Sequence, residues 1–313
     1  MTTALNLKYR DLSWLGHAFD ELSIISPFKL IQVEGFTESD RQALVTKGVV
    51  GENNQVLPGY HQILDTLAGA DHFIETVFSR GPVKARRMHL GKDHERVSLS
   101  YSKDGVDLIH PANPRGMINF LQEYTGGSSL TGGDLSIELS PALMVLFGVI
   151  SDLYRKAVFA AYAEEEIFNY RGFTSDELLD AALNVRNNSQ SLAFHIKSLV
   201  PPGIAFDRDQ ILQALDSLLE QSLLKKEDHR YFPIDEALLF SGNFLVIESS
   251  LDVVVGQVHE GELFRSGFTV LQAGPLDLVL LEGSKESVTL QCLSAQSILS
   301  ILGSVFENQP MIV

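Results

Sequence analysis

The chain has 313 residues, more than the roughly 100 to 200 of an ordinary domain, so two domains or one large duplicated domain are expected. Hydrophobic residues make up 45%, enough for real cores, while 40 acidic against 24 basic residues give a formal net charge of −16, which opposes a phosphate backbone and counts against nucleic acid as a partner. The one cysteine, Cys292, excludes an internal disulfide and a multi-thiolate metal centre, the usage expected of a reducing cytoplasm.

The first eight residues lack a basic segment followed by an apolar core, so no secretory signal is expected and the localisation reads as cytoplasmic. Leu12, Leu15, Phe19 and Leu22 form a stripe at helical spacing, which predicts a helix over 11–25 that Ser26-Pro27 ends. Thr37-Glu-Ser-Asp40 opens a second helix through Val45, with Gly48 as its C-terminal cap. Val49-Val50, the turn Gly51 to Asn54 and Val56-Leu57 resemble the small hairpin of a winged helix. A helix over Tyr60 to Leu67 follows, then period-two strands at His72 to Val77, Ala85 to Leu90, Val97 to Tyr101 and Val106 to Ile109. Asn113-Pro114 has the form of a helix start that closes this sheet on one face.

Thr125 to Gly133, rich in glycine and serine, is the best boundary in the chain. Beyond it Ser140-Pro141 starts a long helix to about Phe168, apolar nearly all round from Leu143 to Ile150, which the two flanking modules are expected to cover. Its longest uncharged apolar run, Ala142 to Ile150, is nine residues, less than half of the roughly 20 needed to cross a bilayer. Thr174-Ser-Asp-Glu177 is a capping box for the next helix, with helical segments to Leu199 before Pro201-Pro-Gly203. The second half then repeats the first: helix Asp209 to Gln221, a wing from Leu223 to Phe232, helix Asp235 to Leu239, strands at Phe244 to Glu248, Phe268 to Gln272, Leu278 to Leu281 and Val288 to Leu293, and a last helix capped by Ser294.

The repetition is visible residue by residue. Val97-Ser-Leu-Ser-Tyr-Ser-Lys-Asp-Gly-Val-Asp-Leu108 aligns without a gap to Val279-Leu-Leu-Glu-Gly-Ser-Lys-Glu-Ser-Val-Thr-Leu290, with six of twelve positions identical. Ala43 to Val50 faces Ser217 to Leu224, His72 to Thr76 faces Leu245 to Ser249, and Met117, Phe120 and Leu121 face Ile298, Ile301 and Leu302. The fold class is therefore α+β: a duplicated, pseudo-twofold module of winged-helix-like segment, four-stranded antiparallel sheet and closing helix, with a central helical segment. The domains expected are 1–126, a first repeat; 127–173, linker and central helix; and 174–313, a second repeat.

The search for chemistry finds none. No two histidines sit at the one-turn spacing of a zinc helix, and the nearest pair, His89 and His94, falls in an expected hairpin turn. The glycine pairs at 126 and 132 and Gly283-Ser-Lys285 lack the spacing of a phosphate loop, no nucleophile elbow occurs, and Cys292 has no flanking motif of a thiolate. No catalytic residue, metal or cofactor is expected, and the protein reads as a non-enzyme. The basic cluster Lys84, Arg86, Arg87, Lys92, Arg96 is interleaved with Asp93 and Glu95, as on a solvated hairpin edge, and the helix over 209–221 carries Asp209, Asp216 and Glu220 where a recognition helix needs cations.

The order of helix, Leu44-x-x-x-Gly48-Val-Val50, wing, four strands and closing helix, used twice around a helical middle, resembles the EspG family, cytosolic chaperones of type VII secretion. The likeness runs from Phe36 to Tyr124 and includes the strand pair around Lys103-Asp-Gly105 and Pro114 to Leu121. It implies a cytosolic protein-binding adaptor or chaperone that holds a helical secretion substrate and shields its apolar tip. Family members make that contact with a sheet-side loop. The surplus segment Ser250 to Leu263, either an extra strand or an apolar loop, therefore makes Val253, Val254, Val255, Leu263 and Phe264 the candidate partner-binding residues. A winged-helix transcriptional regulator and a structural or ligand-sensing protein are the alternatives.

Overall fold

A computed structural model describes residues 3–113, 135–200, 207–273 and 277–307 of the chain. The fold is α+β with antiparallel sheet, and it divides into two compact units: Met1–Phe120 with Asp252–Ser266 and Gly303–Val313, and Leu121–Leu251 with Gly267–Leu302. Three sequence expectations lie outside the described residues, namely the helix from Pro114, the glycine-rich boundary Thr125 to Gly133 and the break at Pro201-Pro-Gly203.

The first unit opens with strand β1 (Thr3–Lys8) and helix α1 (Tyr9–Leu15). The sequence reading missed β1, whose alternation buries only Leu5 and Leu7. It also ran the helix too far: after α1 a 3-10 turn spans Gly16–Ala18 and Phe19 is already extended. Gly16 is pressed against Phe28, 2.9 Å from where a Cβ would stand to the Phe28 Cβ, so the chain turns here to seat α2 (Pro27–Leu30). Helices α3 (Glu38–Thr46) and α4 (Pro58–Ala68) flank the wing, which is reduced to one bridge between Val50 and Val56. Strands β2 (His72–Arg80), β3 (Val83–Lys92), β4 (Glu95–Tyr101) and β5 (Gly105–His110) form a meander that β1 extends beyond β5. Strand β3 lies between β2 and β4, so the basic cluster is not a sheet edge as expected. Its charges are used locally: Arg86 pairs with Glu75 and lies 4.7 Å over the Tyr101 ring, and Arg96 donates to the Phe306 carbonyl at 2.9 Å.

The second unit opens in the same way. Strand β6 (Ser136–Leu139) leads into α5 (Pro141–Ala163), a helix of 23 residues. Ser140 stands at its N-cap position without a side-chain cap bond, and Pro141 fills the first turn where no N–H is needed. Helices α6 (Ser175–Leu183), α7 (Leu192–Leu199) and α8 (Arg208–Glu220) follow, with the expected capping box at Thr174 and Glu177 made by bonds of 2.7 and 3.2 Å. The wing is strands β7 (Leu224–Glu227) and β8 (Arg230–Pro233), and α9 (Asp235–Asn243) comes next. Strands β9 (Ile247–His259), β10 (Glu262–Ala273), β11 (Asp277–Gly283) and β12 (Val288–Leu293) run as a second meander, extended beyond β12 by β6, before α10 (Ala295–Glu307), whose N-cap Ser294 accepts from the Ser297 N–H at 3.1 Å. What covers the apolar middle of α5 is its own unit: Met144 to Ile150 join one core with α6, α7, α8 and α9. At Gly148 the packing is backbone-close, since a Cβ there would stand 2.9 Å from the Ala193 Cα, and the missing side chain lets α7 lie against α5. Among the described residues no helix is long and apolar enough to cross a membrane.

The duplicated sequence is duplicated in register as well. Leu99 faces Leu108 in the β4–β5 pair, and their aligned residues Leu281 and Leu290 face each other in β11–β12. In each turn a serine hydroxyl, Ser102 or Ser284, accepts the N–H and donates to the carbonyl of the residue three along, Gly105 or Ser287. The repeat also extends further than the sequence alignment. Leu7 pairs with Val106 and Leu139 with the equivalent Val288, each two residues before a helix, so β6–α5 is the counterpart of β1–α1.

The ends of α3 and α8 match bond for bond. The Val49 N–H reaches the Leu44 carbonyl and the Leu223 N–H the Leu218 carbonyl, both at 3.0 Å, around a left-handed residue: Gly48 at φ 69° in one, Ser222 at φ 57° in the other. Only the serine carries a Cβ penalty there. Ser222→Gly is accordingly expected to stabilise the protein by about 0.5–1 kcal/mol, read as a raised thermal midpoint; an unchanged or lowered midpoint would show that the side chain relieves its own strain.

Candidate functional site

Of the five residues singled out in the sequence, the structure separates three from two. Val253, Val254 and Val255 belong to β9, the strand reading of that segment rather than the loop reading. Val253 is fully buried and Val255 nearly so, while Val254 and Val258 pack against the core of the first unit. A strand covered on both faces reads as a continuous apolar run, so these valines are core residues and not a partner surface. Close packing at Gly256, where an added Cβ would collide with the Phe73 ring, and the 2.6 Å bond from the Val258 N–H to the Asp71 carbonyl hold this half of β9 beside β2.

Leu263 and Phe264 lie just beyond the hairpin turn, where Glu260 (φ 51°) and Gly261 (φ 81°) reverse the chain. Residues 261 to 266 are all exposed, Leu263 by 40% and Phe264 by 45%. As neighbours on a strand they point to opposite faces. Pairing of β10 with β11 begins only at Phe268, so among the described residues the outer backbone edge over 262–267 has no partner strand.

A second surface, which the sequence reading did not find, is built in the other unit at the end of α5. The helix stops at Ala163 rather than running to Phe168, and Glu165 turns the chain at φ 54°. The following segment is laid on the wing by a two-way bridge: Phe173 and Tyr231 exchange backbone bonds of 3.0 and 2.7 Å, and Arg230 donates to the Gly172 carbonyl at 2.9 Å. Between this segment and the last turns of α5 runs a groove of about 540 Å³, floored by Ala157, Ala160 and Ala161. Tyr170 is the hub of its aromatic wall, with Tyr154 at 4.8 Å, Phe173 at 5.3 Å and Phe232 at 5.7 Å between ring centroids. Its hydroxyl is buried with no hydrogen-bond partner among the described residues. Burial, followed by the neighbouring Tyr154 and the Glu177 carboxylate, pushes that hydroxyl far above the usual tyrosine range, so it stays a neutral donor.

Ile167, 94% exposed, lines the groove together with Phe168, Glu164 and Glu166, while Phe159 and Tyr162, exposed by 43% and 73%, lie on the other face of the last turns of α5. A β-branched apolar side chain this exposed at the mouth of a groove lined by Phe168, Tyr170 and Phe173 has the character of a contact surface. The signal was available in the sequence: Ala157-Val-Phe-Ala-Ala-Tyr-Ala163 holds no charged side chain to face water, but the reading placed this end of the helix under cover.

Elsewhere the described residues offer no group of three or more histidine, cysteine or carboxylate side chains placed to hold a metal. His94 is in the β3–β4 turn as expected, whereas His89 is inside β3 and buried, and Cys292 is buried in β12.

Taken together, the chain is an α+β protein with two antiparallel meanders and an exposed apolar surface in each unit. No family model matches it and no curated protein matches it. Among solved structures it is similar to that of the Mycobacterium tuberculosis type VII secretion system chaperone EspG5 in complex with the PE25–PPE41 dimer, at 11% identity over 99% of this chain and 98% of that one, with a TM-score of 0.49.

Proposed function

We propose that the protein is a non-enzymatic, cytoplasmic protein-binding adaptor of the chaperone kind, and that the groove at the end of α5 receives an apolar helix or helix tip of its partner, a helical secretion substrate being the first candidate. The observation that carries this reading is Ile167, 94% exposed at the mouth of a groove lined by Phe168, Tyr170 and Phe173. Aromatic anchors beside a preformed apolar groove are the usual source of binding energy at such interfaces. Glu164, Glu166 and Glu177 outnumber Arg171 and Arg230 in the lining, and this acidic surplus favours a partner with basic residues flanking its apolar segment.

The test is a tagged pull-down from the native host, comparing the wild type with an Ile167→Asp variant. The position is exposed, so the variant is expected to fold with an unchanged thermal midpoint. Loss of this anchor removes about 2 kcal/mol or more, so the partner should bind at least about 30-fold more weakly to the variant. Equal recovery by both proteins would remove the groove, and a Leu263→Asp, Phe264→Asp variant would then show whether the β9–β10 tip makes the contact. If neither variant matters, the adaptor reading fails.

A further inference from the structure

A cavity of about 260 Å³ opens in the second unit between α5, α6 and the segment joining α6 to α7. Its lining includes Arg155, Lys156, Arg186 and Asn188. Arg155 is 5% exposed. Its Nη2 donates to the Gln190 carbonyl and lies 3.3 Å from Asp152 Oδ1, and its guanidinium sits 5.8 Å from the Phe244 ring centroid. Its Nη1 has no partner among the described residues.

The one carboxylate in the cavity wall is already committed. Asp152 accepts from the Ser191 hydroxyl at 2.6 Å, the Leu192 N–H at 3.0 Å and the Ala193 N–H at 3.2 Å, and so serves as the anion at the N-terminus of α7. Lys156 and Arg186 are exposed at the mouth and form no ion pair among the described residues. Three cations therefore face one shared carboxylate, in a chain whose overall charge is −16. Leaving a guanidinium N–H buried and unmatched is costly unless something compensates it, and desolvation already draws the Arg155 pKa below its ordinary value. The Asn184 amide is spent on Asp180, but the Asn188 side-chain N–H₂ is available, since only its oxygen is used, by the Gln190 N–H.

We propose that this cavity binds a compact oxyanion, a phosphate or carboxylate group carried on a small molecule, held by Arg155 at the inner wall and by Lys156, Arg186 and the Asn188 amide at the mouth. Guanidinium groups match such oxyanions with paired, charge-assisted bonds. The volume, a little under the roughly 300 Å³ at which drug-sized pockets begin, sets the size of the ligand. The site shares no residue with the groove at the end of α5, so it stands whether or not that groove receives a partner.

The test is titration of the intact protein with sodium phosphate and, separately, sodium succinate at constant ionic strength, read by calorimetry and by thermal midpoint. Saturable binding of either anion is expected, and whichever binds assigns the oxyanion. Arg155→Met would disturb the core, so the diagnostic variant is Lys156→Glu, Arg186→Glu, which touches only exposed side chains and should weaken binding by at least about tenfold. Stabilisation by both anions no larger than that of sodium chloride, or equal binding by the charge-reversed variant, would overturn the proposal.

Discussion

Asp152→Ala is expected to lower the unfolding free energy by about 3–5 kcal/mol. The carboxylate links two helices: on α5 it neutralises the buried Arg155, and on α7 it accepts from the Ser191 hydroxyl and the first two backbone N–H groups. Removing it strands a buried cation and orphans three donors at once, and it does so where Gly148 lets α5 and α7 pack most closely. Denaturant midpoints at an unchanged m-value report the effect. Asp152→Asn keeps an acceptor but not the charge, and should fall between the wild type and the alanine variant. A loss below about 1 kcal/mol for alanine would mean that water replaces the carboxylate freely, which this buried site should not allow.

Acidification between pH 6.5 and 4 should destabilise the wild type by an amount on the order of 3 kcal/mol through His89 alone. Burial in β3, with the nearby Arg87 and Arg96 cations adding to it, pulls this imidazole down from 6.5 to about 4. In that window the unfolded chain holds the proton and the native chain does not, so stability is fully present above 6.5 and drains away as the pH falls. The ring meets Phe306 edge-on at 5.9 Å, and the Nε2 has no partner among the described residues, so nothing in its surroundings welcomes the charge. A His89→Leu variant keeps the apolar contact and loses the titration. Its stability should fall less steeply than that of the wild type over this range, and parallel profiles would refute the assignment.

What the sequence disclosed was what local chemistry decides. The capping boxes at Thr37 and Thr174, the left-handed Gly48, the Ser294 cap and the two hairpins that repeat at Val97 and Val279 are each set by a few adjacent residues, and each is where the pattern put it. Strands β1 and β6 escaped because only two alternating leucines mark the first and four residues make up the second, and both are strands by virtue of the neighbour they pair with. Val253 to Val255 were ambiguous for a related reason: three valines in a row suit a strand buried on both faces and an exposed loop alike, and tertiary cover decided it. The groove at the end of α5 depends on where that helix stops. Nothing between Ala163 and Phe168 marks the stop in sequence except Glu165, which adopts a left-handed conformation that glutamate seldom takes.

The tip of the β9–β10 hairpin also governs how the protein behaves in bulk. From Glu262 to Ser266 it offers a bare main-chain edge, with a leucine on one side of the ribbon and a phenylalanine on the other. Such an edge, like the outer edges of β1 and β6, is a place where another copy could add a strand. Mutual repulsion from the surplus of acidic side chains keeps molecules apart in dilute salt, and Glu262 and Arg265 interrupt the greasy stretch. Raising the ionic strength shortens the reach of that repulsion to roughly 3 Å at 1 M, so concentrated stocks belong in low-salt buffer.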